Sequence, residues 1–169
     1  METGKLYSIK LNHSNEDFKG IVQTIGEEWV LLYRLFTDFM MDGFLLLKKE
    51  YIVEIIRDDD ICFIENVLKA KGISFIKSIE NIPLDNTDRL FNWLKENQIV
   101  FMFSLKDNHV SYVGKISKIL AKSFYLQVLD VNGKWWEKEL LYRTKTVRSI
   151  DFKSDYIESL LAYNMASME

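Results

Sequence analysis

Apolar and polar residues alternate in short runs over most of this chain, a period of two that predicts strands. Residues 6–11, Leu-Tyr-Ser-Ile-Lys-Leu, form the first run, and a polar loop, 12–17, follows. A second run, 18–25, contains Gly20, which in a strand marks a bend or a close backbone approach. Glu27-Glu28 turns the chain into a third strand, 29–36. Asp42-Gly43 reads as the next turn, because Asp-Gly and Asn-Gly accept the positive φ of a type I′ hairpin. Further strands are expected near 44–47 and 51–56. The period becomes helical over 61–71, where Ile61, Ile64, Val67 and Leu68 share a face and Lys69, Lys71 and Gly72 supply the stop. Residues 73–79 read as an extra strand, and the stretch around Pro83 as a connection. A helix is expected over 87–97, capped from Asp85–Thr87, with Leu90, Phe91 and Leu94 as its buried stripe.

Compared with itself, the chain shows this order twice. At an offset of 94, Tyr7-Ser-Ile-Lys-Leu11 falls on Phe101-Met-Phe-Ser-Leu105, Phe18-Lys-Gly20 on Tyr112-Val-Gly114, and Val22 and Ile25 on Ile116 and Ile119. Asp42-Gly43 meets Asn132-Gly133 at 90, and Phe63–Leu68 meets Tyr156–Leu161 at 93. Ordered matches with small gaps predict a duplicated unit of about 75 residues. The two copies should superpose Gly20 on Gly114 and Glu65 on Glu158. Phe18, Val22, Ile25, Tyr112, Ile116 and Ile119 hold the inward phase of the second strand in each unit and are predicted core.

Five short strands with a glycine in the second resemble an Sm-like (LSm) small barrel. Ser8–Leu11, Phe18–Val22, Ile25 and Val30–Leu32 resemble its first motif, and 47–56 its second. In the second unit, Tyr142-Arg143-Thr144-Lys145-Thr146-Val147 stands where that family has an Arg-Gly pair; Arg143 matches and Thr144 does not. SH3-like barrels share the patterning. The resemblance implies a mainly β fold with short helices (α+β): two tandem Sm-like or SH3-like small barrels of bent antiparallel strands that tend to pair edges between subunits. The first barrel, with its closing helix and extra strand, spans 1–79, a linker 80–86, and the leading helix with the second barrel 87–169. The Asp and Asn with which RNA-binding members read a base are replaced by Gly26 and Val30 in one unit, and by Leu120 and Phe124 or Tyr125 in the other. An intact RNA pocket is therefore not implied.

Composition narrows the function. Apolar residues make up 48% of the 169, enough for a core, so disorder is excluded. The net charge of -3 disfavours a dedicated nucleic-acid binder unless a local basic patch exists. Single Cys62 cannot form an internal disulfide, which fits a reducing compartment. Residues 1–15 lack the apolar core of a signal peptide, and charges at 34, 38 and 42 interrupt the most apolar stretch, 29–47. A cytoplasmic protein without a membrane partner is expected.

Candidate chemistry is sparse. His13 and His109 read as loop histidines without converging ligands, so no metal or cofactor is expected. Asp58-Asp59-Asp60 reads as the cap of the following helix. Cys62 lies on an apolar helix face with no base nearby. No nucleophile elbow, P-loop, dinucleotide fingerprint or His-Glu-x-x-His pattern is present, so neither an enzyme nor a small-molecule substrate is expected. Basic residues concentrate in the second unit beside Trp135-Trp136, one of which should face outward if both lie on a strand. The candidate binding surface is Lys134, Trp135, Trp136, Lys138, Arg143, Lys145 and Arg148. The expected function is a non-catalytic binding or assembly module that works through strand edges and this surface. A protein partner or self-association leads, and weak, sequence-tolerant RNA or single-stranded nucleic-acid binding is the alternative.

Overall fold

The structure is a computed structural model that describes every residue except 13, 78, 80, 107 and 167–169; the side chains of 108–111 are also outside the description. The first half contains β1 (Leu6–Leu11), β2 (Asp17–Ile25), β3 (Trp29–Thr37), β4 (Met40–Lys48), β5 (Ile52–Ile56) and helix α1 (Asp59–Ala70). The second contains α2 (Thr87–Glu96), β6 (Phe101–Leu105), β7 (Asn108–Leu120), β8 (Ser123–Leu129), β9 (Leu140–Arg143), β10 (Val147–Phe152) and α3 (Asp155–Ala166). His13 lies outside the described residues. His109 falls in β7 rather than in the expected loop. No described helix is long and apolar enough to cross a membrane.

The ten strands form one antiparallel sheet in the order β5-β1-β2-β3-β4-β10-β6-β7-β8-β9. The fold is thus mainly β, and the two units share one continuous sheet. The internal repeat reappears in the register. Tyr7 pairs with Gly20 as Phe101 pairs with Gly114. Gly20 pairs with Arg34 as Gly114 pairs with Val128. A Cβ on Gly20 would sit 2.8 Å from the Tyr33 carbonyl oxygen, and one on Gly114 2.3 Å from that of Gln127, so both positions require glycine for close strand approach. The irregularities repeat too. The β2–β3 ladder skips Gln23 and the β7–β8 ladder skips Ser117. The β1–β5 ladder skips Val53 and the β6–β10 ladder skips Arg148. Such bulges bend a strand and strengthen its twist.

The two cores correspond residue by residue. Tyr7, Ile9, Val22, Val30, Leu32 and Leu45 cluster in the first unit. Phe101, Phe103, Ile116, Phe124, Leu126 and Leu140 take the same places in the second. The second set is larger and aromatic, with ring centroids of Phe101–Phe103 and Phe103–Phe124 both 5.8 Å apart. Of the expected core positions, Val22 and Ile116 are fully buried, while Phe18, Tyr112 and Ile119 are half-buried. Ile25 is exposed. The bulge at Gln23 adds a residue to the strand and reverses its alternation beyond that point.

Two further expectations are corrected. Asp42-Gly43 is not a turn: it lies inside β4, and the hairpin turns at Asp38, whose φ is +42°. Gly43 has φ +61°, and a Cβ there would lie 2.8 Å from Ser154, so it allows the second unit's chain to cross β4. Residues 73–79 form no strand among their described members. The bulged Gln23 instead satisfies their backbone: its Nε2 donates to the Phe75 carbonyl at 2.8 Å, and the Lys77 N–H donates to its Oε1 at 2.9 Å.

The closing helices also correspond, but in a different register from the sequence match. Asp58 caps α1 by accepting from the Ile61 N–H at 2.9 Å, and Ser154 Oγ accepts from the Ile157 N–H at 3.4 Å. Ile61 with Leu6 and Leu35 therefore parallels Ile157 with Val100 and Leu129. Glu65 aligns with half-buried Leu161 and not with Glu158, which is exposed. Glu65 is buried and accepts from the Leu6 N–H at 3.0 Å, from Arg57 at 2.7 Å and from Lys69 at 2.7 Å. Burial alone would raise its pKa; the bonds from Arg57, Lys69 and Leu6 outweigh it and bring it down to about 2. A depressed carboxyl contributes stability that is complete above its unfolded pKa and is lost as pH falls through the folded value. Glu65→Gln should therefore lower stability near neutral pH by up to about 3 kcal/mol. The gap to wild type should close between about pH 4.5 and pH 2. Denaturant midpoints measured across that range check this, and a gap that is constant with pH would refute it.

Candidate functional site

The chain places the expected surface residues at three separate sites. The first is the β8–β9 connection. Asp130 organises it: its Oδ1 accepts from the Asn132 and Lys134 N–H groups, each at 2.9 Å. The Lys134 N–H, helped by that of Asn132 and by the Trp136 indole, holds the Asp130 carboxyl below its usual range. Gly133 follows at φ +70°, and its carbonyl accepts from Asn164 Nδ2 of α3 at 2.7 Å. Trp135 turns inward and packs with Val100, Val113, Leu129 and Ile157. Its Nε1 donates to Asn164 Oδ1 at 3.2 Å, and the Lys115 ammonium lies 5.1 Å from its ring centre. Trp136 is the outward ring, 41% exposed, between exposed Lys134 and Lys138.

The second site is a cleft of about 610 Å³ where the loop ends of the two units meet. Arg143 and Lys145 line it together with Lys122, and Glu28, Lys48 and Asp88 complete it. A single 3-10 turn at Thr144–Thr146 positions the basic pair, and the Thr144 N–H donates to the Lys122 carbonyl at 3.2 Å. The first unit repeats this with a 3-10 turn at Lys49–Tyr51 and the Lys49 N–H on the Glu28 carbonyl at 2.8 Å. Lys48, the counterpart of Arg143, is neutralised by Glu50 at 2.6 Å. Glu28 also accepts from the Thr87 N–H at 2.8 Å and from its hydroxyl, while Trp29 Nε1 donates to Thr87 Oγ1 at 2.9 Å. That relay ties the start of α2 to the first unit. Exposed Lys122, Arg143 and Lys145 are the cations this cleft presents, and neither tryptophan lines it.

The third site is the junction between the units. Arg148 is buried there rather than on a surface; its Nε donates to Ser104 Oγ at 3.0 Å and its guanidinium to the Asn12 carbonyl at 3.3 Å. Beside it Arg34 meets Asp151 at 2.6 Å. Burial pushes the Asp151 carboxyl up to about 6, and Arg34 pulls the other way without cancelling it.

Lys122 is one of the basic residues concentrated in the second unit but stands outside the candidate surface expected from the sequence; the fold brings it beside Arg143 and Lys145. The outer strands were missed as specific segments, since which strands end a sheet is a property of topology. They are β5 and β9. Val53, Ile55 and Leu141 are exposed on them. No protein-family model, curated protein or solved structure matches the chain.

The two tryptophans should separate by stability. Trp135→Ala should cost about 2 kcal/mol or more, because the ring fills the α3 contact. Trp136→Ala should cost less than half as much. Denaturant unfolding of the two variants checks this, and equal losses would show that the outward ring is structural as well.

Proposed function

We propose that the chain is a non-catalytic assembly module in which two tandem Sm-like or SH3-like small barrels are fused edge to edge and engage protein through the outer strands. The observation that carries this reading is the pair of unpaired edges. Among the described residues, eight of the ten strands have a neighbour on both sides, whereas β5 and β9 each have one. An open edge offers unpaired N–H and C=O groups to an added strand. Natural edges are protected by charge or proline, but these carry exposed Val53, Ile55 and Leu141. Lys10 and Glu54, paired at 2.8 Å across β1 and β5, give the first edge its polar component.

The test is affinity capture from the cell that makes the protein, with wild type beside Ile55→Arg and Leu141→Arg. The wild type should recover a stoichiometric protein component that one or both variants lose while unfolding at an unchanged denaturant concentration. Identical recovery by all three chains would reject the edges as the binding surface.

The cleft supports a second reading, a weak nucleic-acid site. Lys122, Arg143 and Lys145 would contact phosphate, and Glu28 and Asp88 on the opposite wall limit its strength. Binding of a single-stranded RNA oligonucleotide should appear only at low salt and weaken on Arg143→Ala and Lys145→Ala. Trp136→Ala should leave it unchanged, because that ring is outside the cleft. A gel shift that survives physiological salt, or that depends on Trp136 and not on Arg143, would contradict this arrangement.

A further inference from the structure

Inside the seam the second unit turns a polar face towards the first. Side chains alternate along β6 and β10, so Phe101, Phe103, Ile150 and Phe152 enter the second core, and Met102, Ser104, Ser149 and Asp151 point the other way. On that side the first unit stands over them with the β1–β2 loop at Ser14–Glu16, Phe18 and Arg34. A cavity of about 270 Å³ lies between. Ser149 and Asp151 line it although they are only 3% and 7% exposed, so its polar wall is built into the fold.

The polar groups of this wall are not all used within the chain. Arg34 Nη1 donates to Asp151 Oδ1 at 2.6 Å. Among the described residues, the other N–H groups of Arg34 have no acceptor and Asp151 Oδ2 has no donor. The Ser104 and Ser149 hydroxyls bond each other, and Arg148 Nε donates to Ser104 Oγ at 3.0 Å. One bond between two hydroxyls uses one of their two protons, so one seryl O–H is left to donate. Among the described lining residues, Arg34 and Arg148 balance Asp151 and Glu16 in formal charge. The cavity thus offers spare donors and a spare acceptor at little net charge. A simple anion would meet two carboxylates there, and a simple cation two guanidinium groups.

From this inventory we propose that the seam binds a free α-amino acid. Its carboxylate accepts from Arg34 and the seryl hydroxyl, its ammonium donates to Asp151, and its side chain lies against Phe18 and Met102. The head group sets the class. An α-amino acid carries both charges on one carbon, and Arg34 and Asp151 present the complementary pair side by side, 2.6 Å apart. A dipeptide or an ω-amino acid holds its charges further apart and meets only one member of that pair. Volume limits the ligand in the same direction, since drug-sized ligands occupy sites of about 300–1,000 Å³. Phe18 and Met102 are half-buried and favour an apolar side chain. An ammonium beside Asp151 also offsets the burial that pushes its carboxyl up to about 6. The residues come from β2, β3, β6, β10 and the β1–β2 loop, so no local motif marks the site in the sequence, and it exists only while the two units are joined.

Isothermal titration of the full chain with L-leucine, glycine, isocaproate and isoamylamine tests this. Leucine should bind with a dissociation constant in or below the millimolar range and raise the denaturant midpoint. Isocaproate lacks the ammonium and isoamylamine the carboxylate; each should bind at least about tenfold more weakly. Glycine keeps the head group without the side chain and should also bind more weakly than leucine. Asp151→Asn and Arg34→Gln should lose leucine binding. Where those variants do not fold, the wild type decides: intermolecular NOEs should join the leucine methyls to the Met102 methyl and the Phe18 ring. Absence of leucine binding at millimolar concentration overturns the inference. So does equal binding of either single-charge analogue, full retention of binding by a folded Asp151→Asn, or NOEs confined to other residues. Ile55→Arg and Leu141→Arg leave the seam intact and should bind leucine as the wild type does, so this site and the edge reading stand or fall separately.

Discussion

The four-rung ladder between β4 and β10 is the constraint on which the rest of the molecule depends. Without it the sheet separates into two groups of five strands; with it Leu31, Leu46 and Ile150 become one apolar row across three strands. That row belongs to the largest core cluster, together with Leu90, Phe91 and Leu94 of α2. The helix between the units thus shares one core with the row that joins them. Arg34–Asp151 and Gly43 beneath Ser154 secure the same seam from either side. A buried ion pair contributes little net stability, because desolvation offsets most of the attraction, but it penalises any other register of the two strands.

Duplication with divergence explains why the units differ in how they are held. The second packs Phe101, Phe103, Phe124 and Tyr142 where the first has Tyr7, Ile9, Val30 and Leu47. Beneath its own closing helix the second unit packs Val100, Val113, Leu129 and Trp135 against Ile157 and Leu161. The first unit, with a smaller aliphatic core, fixes α1 through Glu65 and its three donors, two of them cationic, whereas Leu161 takes that place in α3. Both closing helices pack on an apolar cluster, but the first adds a charged network at Glu65 and the second only neutral bonds from Asn164 to Trp135 and Gly133. The two should respond differently to acid.

How much of this was legible in the sequence depended on how local each cause is. The strands, the α2 stripe and the Asp58 cap come from residues within a turn or a strand of one another, and periodicity exposes them. Gly20 and Gly114 mark close approaches in both units, so the offset of 94 pointed at real equivalence. Asp42-Gly43 carries the signal of a turn, yet the same freedom in φ serves a strand crossed by another segment, and only the tertiary partner, Ser154, decides between them. Ile25 was misplaced because a bulge has no composition of its own. The helix register failed at Glu65 because Ile-Glu occurs in both helices, while the caps set the true alignment: Asp58 lies seven residues before Glu65, and Ser154 only four before Glu158. Most of the proposed surface dispersed for the same reason. A run of basic residues in the sequence does not say which of them a bulge will bury, and Arg148 occupies the bulge position of β10.

That burial bears on what kind of surface this can be. Val53 and Arg148 occupy equivalent bulges, one on a free edge and one at the joined edge. At the joined edge the bulged side chain is buried against Ser104 and the Asn12 carbonyl, so it has become part of the seam. At the free edge the equivalent residue is an exposed valine, which has no hydrogen bond to lose and favours any cover that excludes water. A charged residue there would keep the edge soluble and unpaired. The chain has placed its arginine at the joined edge and its valine at the open one. That distribution suits an edge selected to be covered by another strand.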